Sequence, residues 1–170
     1  MTCGERQQTI GEVLAFTDVQ YRVYTAVHEV GHAVAALSTG NCSVDACELT
    51  IAPGAATDGR TDISWVPDHT AQYTQLIFLH GGFLAQEQWM RETGLWTPER
   101  SWAARSGARH DFAAIQKLAA HESTVRKAYD DSREVVVLNC RGIVEAAQLL
   151  CDAGRITGQK ICDLLNKYTY

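Results

Sequence analysis

The chain has 170 residues, of which 46% are hydrophobic and 21% are charged, and its formal net charge is −5. This length suits one domain with a real core, and this composition excludes a disordered polar chain. Lysines and arginines are scattered without a basic stripe, which argues against a nucleic-acid partner. We therefore predict a single globular domain over residues 1–170.

The sequence shows no targeting or membrane segment. The N-terminal stretch is polar and lacks the apolar run of a signal peptide, and the longest uncharged stretch, Thr70 to Gln86, is too short and too polar to span a bilayer. We expect a cytoplasmic protein, and its six cysteines are then expected to be reduced and to act as small hydrophobic side chains.

The first clear element is a helix from about Asp18 to Ser38. Thr17 followed by Gln20 forms a capping box, and Thr39-Gly40 is a stop signal. Apolar residues recur between these signals at helical spacing. The segment therefore predicts an amphipathic helix with one buried face.

The remaining pattern predicts a small sheet followed by more helices. Alternating segments predict strands at Glu48–Ile51 and Thr61–Trp65, with a loop at Ala52–Arg60 between them. The next expected elements are a helix at His69–Glu92, with Gly81-Gly82 inside it, and an irregular segment at Gly94–Arg109. Two more helices are expected, one from His110 or Asp111 to His121 and one over Asp130–Ala153. The chain is then expected to end with a turn at Gly154–Thr157 and a last helix to Lys167. The glycine pair suggests close packing of the helix against another element. The expected fold class is α+β, mainly α, with a small β-sheet.

The predicted first helix contains the run His28-Glu29-Val30-Gly31-His32. Histidines at i and i+4 lie on one helical face, so both imidazoles can bind one zinc ion. Glu29 stands where a carboxylate can take a proton from a water at the metal. Zinc lowers the pKa of such a water to about 7, so the motif predicts hydrolytic chemistry at neutral pH.

A catalytic zinc needs a third protein ligand and an open fourth position. The common extensions of the motif are absent, since position 35 is Ala and position 38 is Ser. The third ligand must therefore come from further along the chain. The residues leave five candidates open: Asp111, Glu87, His80, His110 and His69.

Several segments, in order, resemble the peptidase domain of the FtsH-type ATP-dependent zinc metalloproteases. The resemblance covers about residues 23–165. The segments that carry it are Tyr24–Ala35, similar to the HEAGHA helix of that family, Glu48–Pro53, similar to the strand after it, Leu79–Glu87, similar to its GGRAAE helix, Ser106–Ala119, similar to its SGASNDL stretch, and Ala147–Leu165, similar to its closing helices.

The resemblance implies a zincin-like peptidase fold and a ligand set. The Asp in the SGASND stretch of that family corresponds to Asp111 of this chain, which would join His28 and His32 in binding the zinc ion. Glu87 is the alternative ligand, or else holds a ligating histidine by a hydrogen bond. Gly81 and Gly82 would mark the place where the predicted helix His69–Glu92 crosses close to the helix that carries His28 and His32.

The function that follows is a zinc metallopeptidase that hydrolyses peptide bonds with Glu29 as the base. The chain contains no Gly-rich Walker motif, so peptides or unfolded proteins are the expected substrates, and a separate ATPase or adaptor protein is the expected partner for anything folded. Two alternatives stay open: a non-proteolytic, zinc-binding regulatory descendant, and a metal-free helical interaction module.

Two further hypotheses concern the cleft. Trp96 and Trp102 lie on the segment expected to be irregular and could cover the cleft as a lid. The strand Thr61–Trp65 could offer an edge to an extended peptide, because backbone pairing binds peptides with little dependence on sequence.

Overall fold

A computed structural model describes residues 9–50, 57–66, 71–118 and 120–168 of the chain. Within these residues the fold is mainly helical with one small antiparallel sheet, as predicted. The elements are α1 (Ile10–Leu14), α2 (Asp18–Leu37), β1 (Cys42–Thr50), β2 (Asp58–Trp65), α3 (Ala71–Glu92), α4 (Pro98–Gly107), α5 (Arg109–Lys117), α6 (Glu122–Leu138), α7 (Cys140–Ala153), β3 (Arg155–Thr157) and α8 (Gly158–Asn166).

Helix α2 is the central element, and the sequence predicted it correctly. The Thr17 side chain accepts a hydrogen bond from the backbone of Gln20, whose own side chain bonds back to Thr17. These two bonds satisfy backbone donors that the first turn leaves open. The chain leaves the helix through Gly40, whose φ of 68° suits a residue without a Cβ. Most of the helix after Tyr24 is buried in the main core.

The sheet has the order β2-β1-β3, and all its pairings are antiparallel. Both predicted strands exist but start earlier, because β1 and β2 pair along their whole length from Cys42 opposite Trp65 to Thr50 opposite Asp58. The alternation of apolar and polar residues did not predict the first half of β1, because the pairing register shifts there, between Val44 and Ala46. Ile51 and most of the predicted loop lie outside the described residues.

The segment predicted as a turn at Gly154–Thr157 is partly the short strand β3. Gly154, with φ of 73°, ends α7, and its carbonyl accepts a hydrogen bond from Leu49. The chain then pairs with β1 for three residues. Thr157 caps α8, and its side chain accepts a hydrogen bond from the backbone of Lys160.

The prediction of an irregular segment at Gly94–Arg109 is wrong, since α4 occupies most of it. Thr97 is the N-cap and Pro98 follows at the first helical position, which is a recognised start signal. The helix buries only Ala103 and Ala104, so its apolar periodicity is too weak to detect.

The long helix predicted at Asp130–Ala153 is two helices, α6 and α7, and α6 begins earlier, at Glu122. They meet at Asn139, whose side chain donates a hydrogen bond to the Val135 carbonyl. This local bond competes with continuation of the helix. The short helix α1 was not predicted, although Thr9 and Glu12 form a capping box for it.

None of the helices in the described part of the chain combines the length and the apolar composition that crossing a membrane requires.

Helices α2 and α3 cross in close backbone contact, which confirms the packing inferred from the glycine pair. A methyl group on Gly81 would lie 2.5 Å from the carbonyl oxygen of Gly31 and 2.6 Å from the Cβ of Ala35. Real Cβ atoms do not approach other atoms so closely, so the two helices reach this separation only with glycine at the crossing.

We expect Gly81→Ala to lower the free energy of unfolding by about 1–3 kcal/mol, because the added methyl group forces the two backbones apart. The matched control is Gly107→Ala in α4, where a Cβ would meet nothing within 4 Å. Chemical denaturation measures both. Equal stability of the two variants would show that the crossing tolerates a side chain.

Candidate metal centre

The two histidines of the motif converge on one point, as their spacing predicts. The Nε2 atoms of His28 and His32 lie 3.0 Å apart. The Nδ1 atom of His32 lies 2.7 Å from the backbone carbonyl of Phe78 and donates its proton there, which leaves Nε2 with a free lone pair. His32 is therefore held in the orientation and tautomer that a metal ligand needs.

Asp111 completes the cluster from α5. Its Oδ2 atom lies 3.3 Å from Nε2 of His28 and 3.4 Å from Nε2 of His32. Among the described residues these three form the one group of histidine, cysteine and acidic side chains whose ligand atoms come close enough together to hold a metal ion. Of the described candidates for the third metal ligand, Asp111 is the one that lies next to both histidines.

The spacing of the three atoms can be tested against zinc. Four ligands at about 2.0–2.1 Å from a tetrahedral zinc ion lie about 3.3 Å from one another. The three observed separations are 3.0, 3.3 and 3.4 Å. The three atoms therefore fit one face of such a tetrahedron. The side chains of His28 and Asp111 keep 17% and 19% exposure, and both residues line the cavity.

The charges of the cluster shift two pKa values. Burial would lower the pKa of His32, but hydrogen bonding and charge from Asp111 outweigh burial and raise it above its ordinary value. Burial likewise opposes ionisation of Asp111, but the two histidines hold its pKa well below its usual range. The carboxylate is therefore charged at neutral pH, as a metal ligand must be.

Gly82 makes room for the imidazoles. A methyl group on this residue would lie 2.5 Å from Nε2 of His32 and 2.7 Å from Cε1 of His28. The glycine pair of α3 therefore has two roles. Gly81 lets the backbones approach, and Gly82 lets both ligand rings fit between the helices.

Glu29 lies in the same cavity as the cluster, which has a volume of about 410 Å³. Its side chain is 7% exposed and rests against Gly59, where a methyl group would come 2.6 Å from Cγ of Glu29. The Thr61 hydroxyl lies 2.8 Å from Oε2 and 2.9 Å from the backbone oxygen of Glu29, and its single proton serves both. Strand β2 thus fixes the carboxylate beside the cluster.

Cys47 packs beneath Glu29. Its sulfur lies 3.6 Å from the backbone oxygen of Glu29 and 3.6 Å from the Thr61 hydroxyl. Burial raises the pKa of the thiol to about 12, so it stays protonated at neutral pH. The five described cysteines, Cys42, Cys47, Cys140, Cys151 and Cys162, are all free.

None of the other described candidate ligands is part of the cluster. Glu87 accepts hydrogen bonds from Arg91 at 2.8 Å and Trp96 at 3.0 Å, and it is not part of the cluster. His110 is exposed and lines the metal cavity. His80 is buried against a different cavity, and burial with the nearby charge of Arg105 lowers its pKa to about 4. His69 lies outside the described residues.

The two tryptophans proposed as a lid also lie elsewhere. Trp96 is bound to Glu87, and the Arg91 guanidinium lies 4.3 Å from its ring centroid. Trp102 is exposed on α4 and lines the same cavity as His80. Neither is among the residues that line the metal cavity.

Sequence reasoning missed the groups that position the site. Thr61 was singled out only as part of a strand, because its contact with Glu29 needs a tertiary fold. The Phe78 carbonyl is a backbone group and carries no sequence signal of its own. The glycine at position 59 gave no signal beyond its place in a segment predicted as a loop.

No protein-family model matches the chain, and no curated protein matches its sequence. The resemblance to the FtsH-type peptidases stays a prediction from the motifs. The metal cluster is therefore argued from its own geometry.

We expect Asp111→Ala to lower the affinity for zinc by about 100-fold or more, because it removes a ligand rather than an outer contact. Glu87→Gln should keep an affinity close to that of the wild-type protein. Competition with a chromophoric chelator and the zinc content of purified protein measure both variants. Tight zinc binding by Asp111→Ala together with loss in Glu87→Gln would move the third ligand to Glu87.

Proposed function

We propose that the protein is a zinc metallopeptidase that hydrolyses peptide bonds, with one zinc ion held by His28, His32 and Asp111. The observation that carries the proposal is the triangle of three ligand atoms, spaced 3.0–3.4 Å apart, with the Glu29 carboxylate in the same cavity. A zinc site that is purely structural needs four protein ligands and no carboxylate beside them. Three ligands and a fixed glutamate are typical of a hydrolase.

The chemistry follows from the residues around the cavity. Bound zinc would supply an acidified water and a Lewis acid for the scissile carbonyl. Glu29 takes a proton at the oxygen that Thr61 leaves free, Oε1, and later delivers it to the leaving amine. The Phe78 carbonyl keeps His32 in its ligating tautomer through both steps.

Substrate is proposed to bind along β2. This strand is an edge strand of the described sheet, and Thr57, Asp58, Gly59 and Thr61 line the metal cavity. An extended peptide beside β2 would bring its backbone across the cavity, which suits flexible peptides or unfolded proteins. Folded substrates would need a separate ATPase or adaptor protein.

The proposal includes a zincin-like fold akin to that of the FtsH-type peptidases and a cytoplasmic site of action. The fold part of the proposal is supported by the packing of the motif helix α2 on the sheet, with the third ligand on the later helix α5. The alternative, a zinc-binding regulator without proteolysis, gains no support from Glu29. A regulator would not need this carboxylate held by Thr61.

We expect Glu29→Gln to keep one zinc ion per chain and to reduce cleavage of unfolded casein by at least about 100-fold, because the amide cannot accept the proton. The exposed Glu134→Gln in α6 is the matched control and should cleave at the wild-type rate. If Glu29→Gln cleaves at the wild-type rate, Glu29 is not the base. Zinc-loaded wild-type protein without any cleavage of peptides would favour the regulator.

We expect Thr61→Val to lower kcat about tenfold with KM little changed, because it removes the hydrogen bond to the Glu29 carboxylate and keeps the side-chain volume. Thr61→Ser retains the hydroxyl and should restore most of the rate. Steady-state kinetics on a fluorogenic peptide separates kcat from KM. An effect on KM alone would assign Thr61 to substrate binding and not to positioning Glu29.

A further inference from the structure

A second cavity, of about 1060 Å³, lies beside α5, the helix that carries Asp111. Its walls come from α4, α5 and α6, and His80 of α3 reaches it. It shares no lining residue with the metal cavity. The proposed peptidase chemistry uses none of the residues that line this second cavity.

Apolar and aromatic side chains form much of its surface. Phe112, Ile115, Val125 and Tyr129 line it, and Trp102 does so while remaining 56% exposed. Large apolar side chains around a concave surface bind an organic group better than an inorganic ion. A ligand of this cavity therefore has an apolar body.

Arginines supply the charge of the same cavity. The guanidinium of Arg105 lies 4.7 Å from the ring centroid of Phe112, which places the cation over the aromatic surface. Within the part of the chain that the structure describes, none of the three lining arginines forms an ion pair. They are Arg105, Arg109 and Arg126.

Two acidic residues, Glu122 and Asp130, also line the cavity. The three arginines therefore exceed the lining carboxylates by one positive charge. A guanidinium matches the planar geometry of a carboxylate. A small excess of positive charge, with carboxylates nearby, suits a single negative charge better than a doubly charged phosphate.

His80 adds an unsatisfied polar group to this cavity. Its side chain is 4% exposed, and within the described structure neither ring nitrogen has a hydrogen-bond partner. Its ring packs edge-on against Tyr129 and Phe112, at centroid distances of 5.3 and 6.5 Å. A neutral imidazole offers one donor and one acceptor, and buried groups of this kind are normally satisfied. A polar group of a ligand seated here could satisfy one of them.

We propose that this cavity binds a small monocarboxylate with an aromatic or branched aliphatic body. The carboxylate pairs with the arginines and accepts a hydrogen bond from the ring N–H of His80, and the body packs on Phe112 and Tyr129. The inference goes beyond the proposed peptidase function, since binding here needs neither zinc nor hydrolysis.

The test uses 4-phenylbutyrate as the probe and zinc-depleted protein, so that the carboxylate cannot be held by a metal ion. Two-dimensional NMR titration should show saturable shifts that cluster on the lining residues of α4, α5 and α6. The neutral 4-phenylbutan-1-ol, with the same body, should bind at least about fivefold more weakly. Phenyl phosphate should also bind more weakly than the carboxylate.

Substitutions of the lining arginines test which positive charges bind the carboxylate. Arg109→Gln and Arg126→Gln should each weaken 4-phenylbutyrate binding about fivefold. Arg133→Gln, an exposed residue of α6 outside the cavity, should leave it unchanged. The proposal is overturned by unsaturable shifts, by equal binding of the alcohol, by tighter binding of phenyl phosphate, or by shifts centred on His28 and His32. Because the readout is binding without zinc, a failed peptidase assay would not produce any of these results.

Discussion

The crossing of α2 and α3 is the contact on which the site depends. Gly31 and Gly81 let the two backbones touch, and one residue later Gly82 leaves the space that both imidazoles occupy. The same approach brings the Phe78 carbonyl of α3 within 2.7 Å of His32. The two histidines of the proposed metal site and the helix packing therefore share one interface. A change that separates these helices also disturbs the ligand geometry, although it touches no ligand.

The other functional groups come to this crossing from two directions. Helix α5 brings Asp111 to the exposed side of the histidine pair, where Asp111 raises the pKa of His32 and the two histidines lower the pKa of Asp111. Strand β2 brings Thr61 to the Glu29 carboxylate. Each of these two elements supplies a single polar side chain, so the site has few redundant groups. This explains why single substitutions such as Thr61→Val are informative.

Much of this arrangement could be predicted from the sequence, because it depends on local signals. The caps and apolar period of α2 fixed its limits, and the spacing of His28 and His32 fixed their common face. Asp111 could be chosen over other candidates only through a resemblance, since nothing local distinguishes it. Helix α4 escaped detection because alanines form its buried face, and the break at Asn139 depends on one side-chain bond. The contact between Thr61 and Glu29 joins distant segments, which periodicity does not reveal.

Cys47 has a consequence for the chemical durability of the centre. A thiolate at this position, directly under Glu29, would be a target for peroxide. Burial keeps the sulfur as a neutral thiol with a pKa of about 12 and out of contact with solvent. Oxidants that reach the open cavity therefore meet imidazole and carboxylate groups rather than a reactive sulfur. A zinc centre held by His28, His32 and Asp111 would therefore stay intact under oxidising conditions that inactivate a cysteine-ligated zinc site.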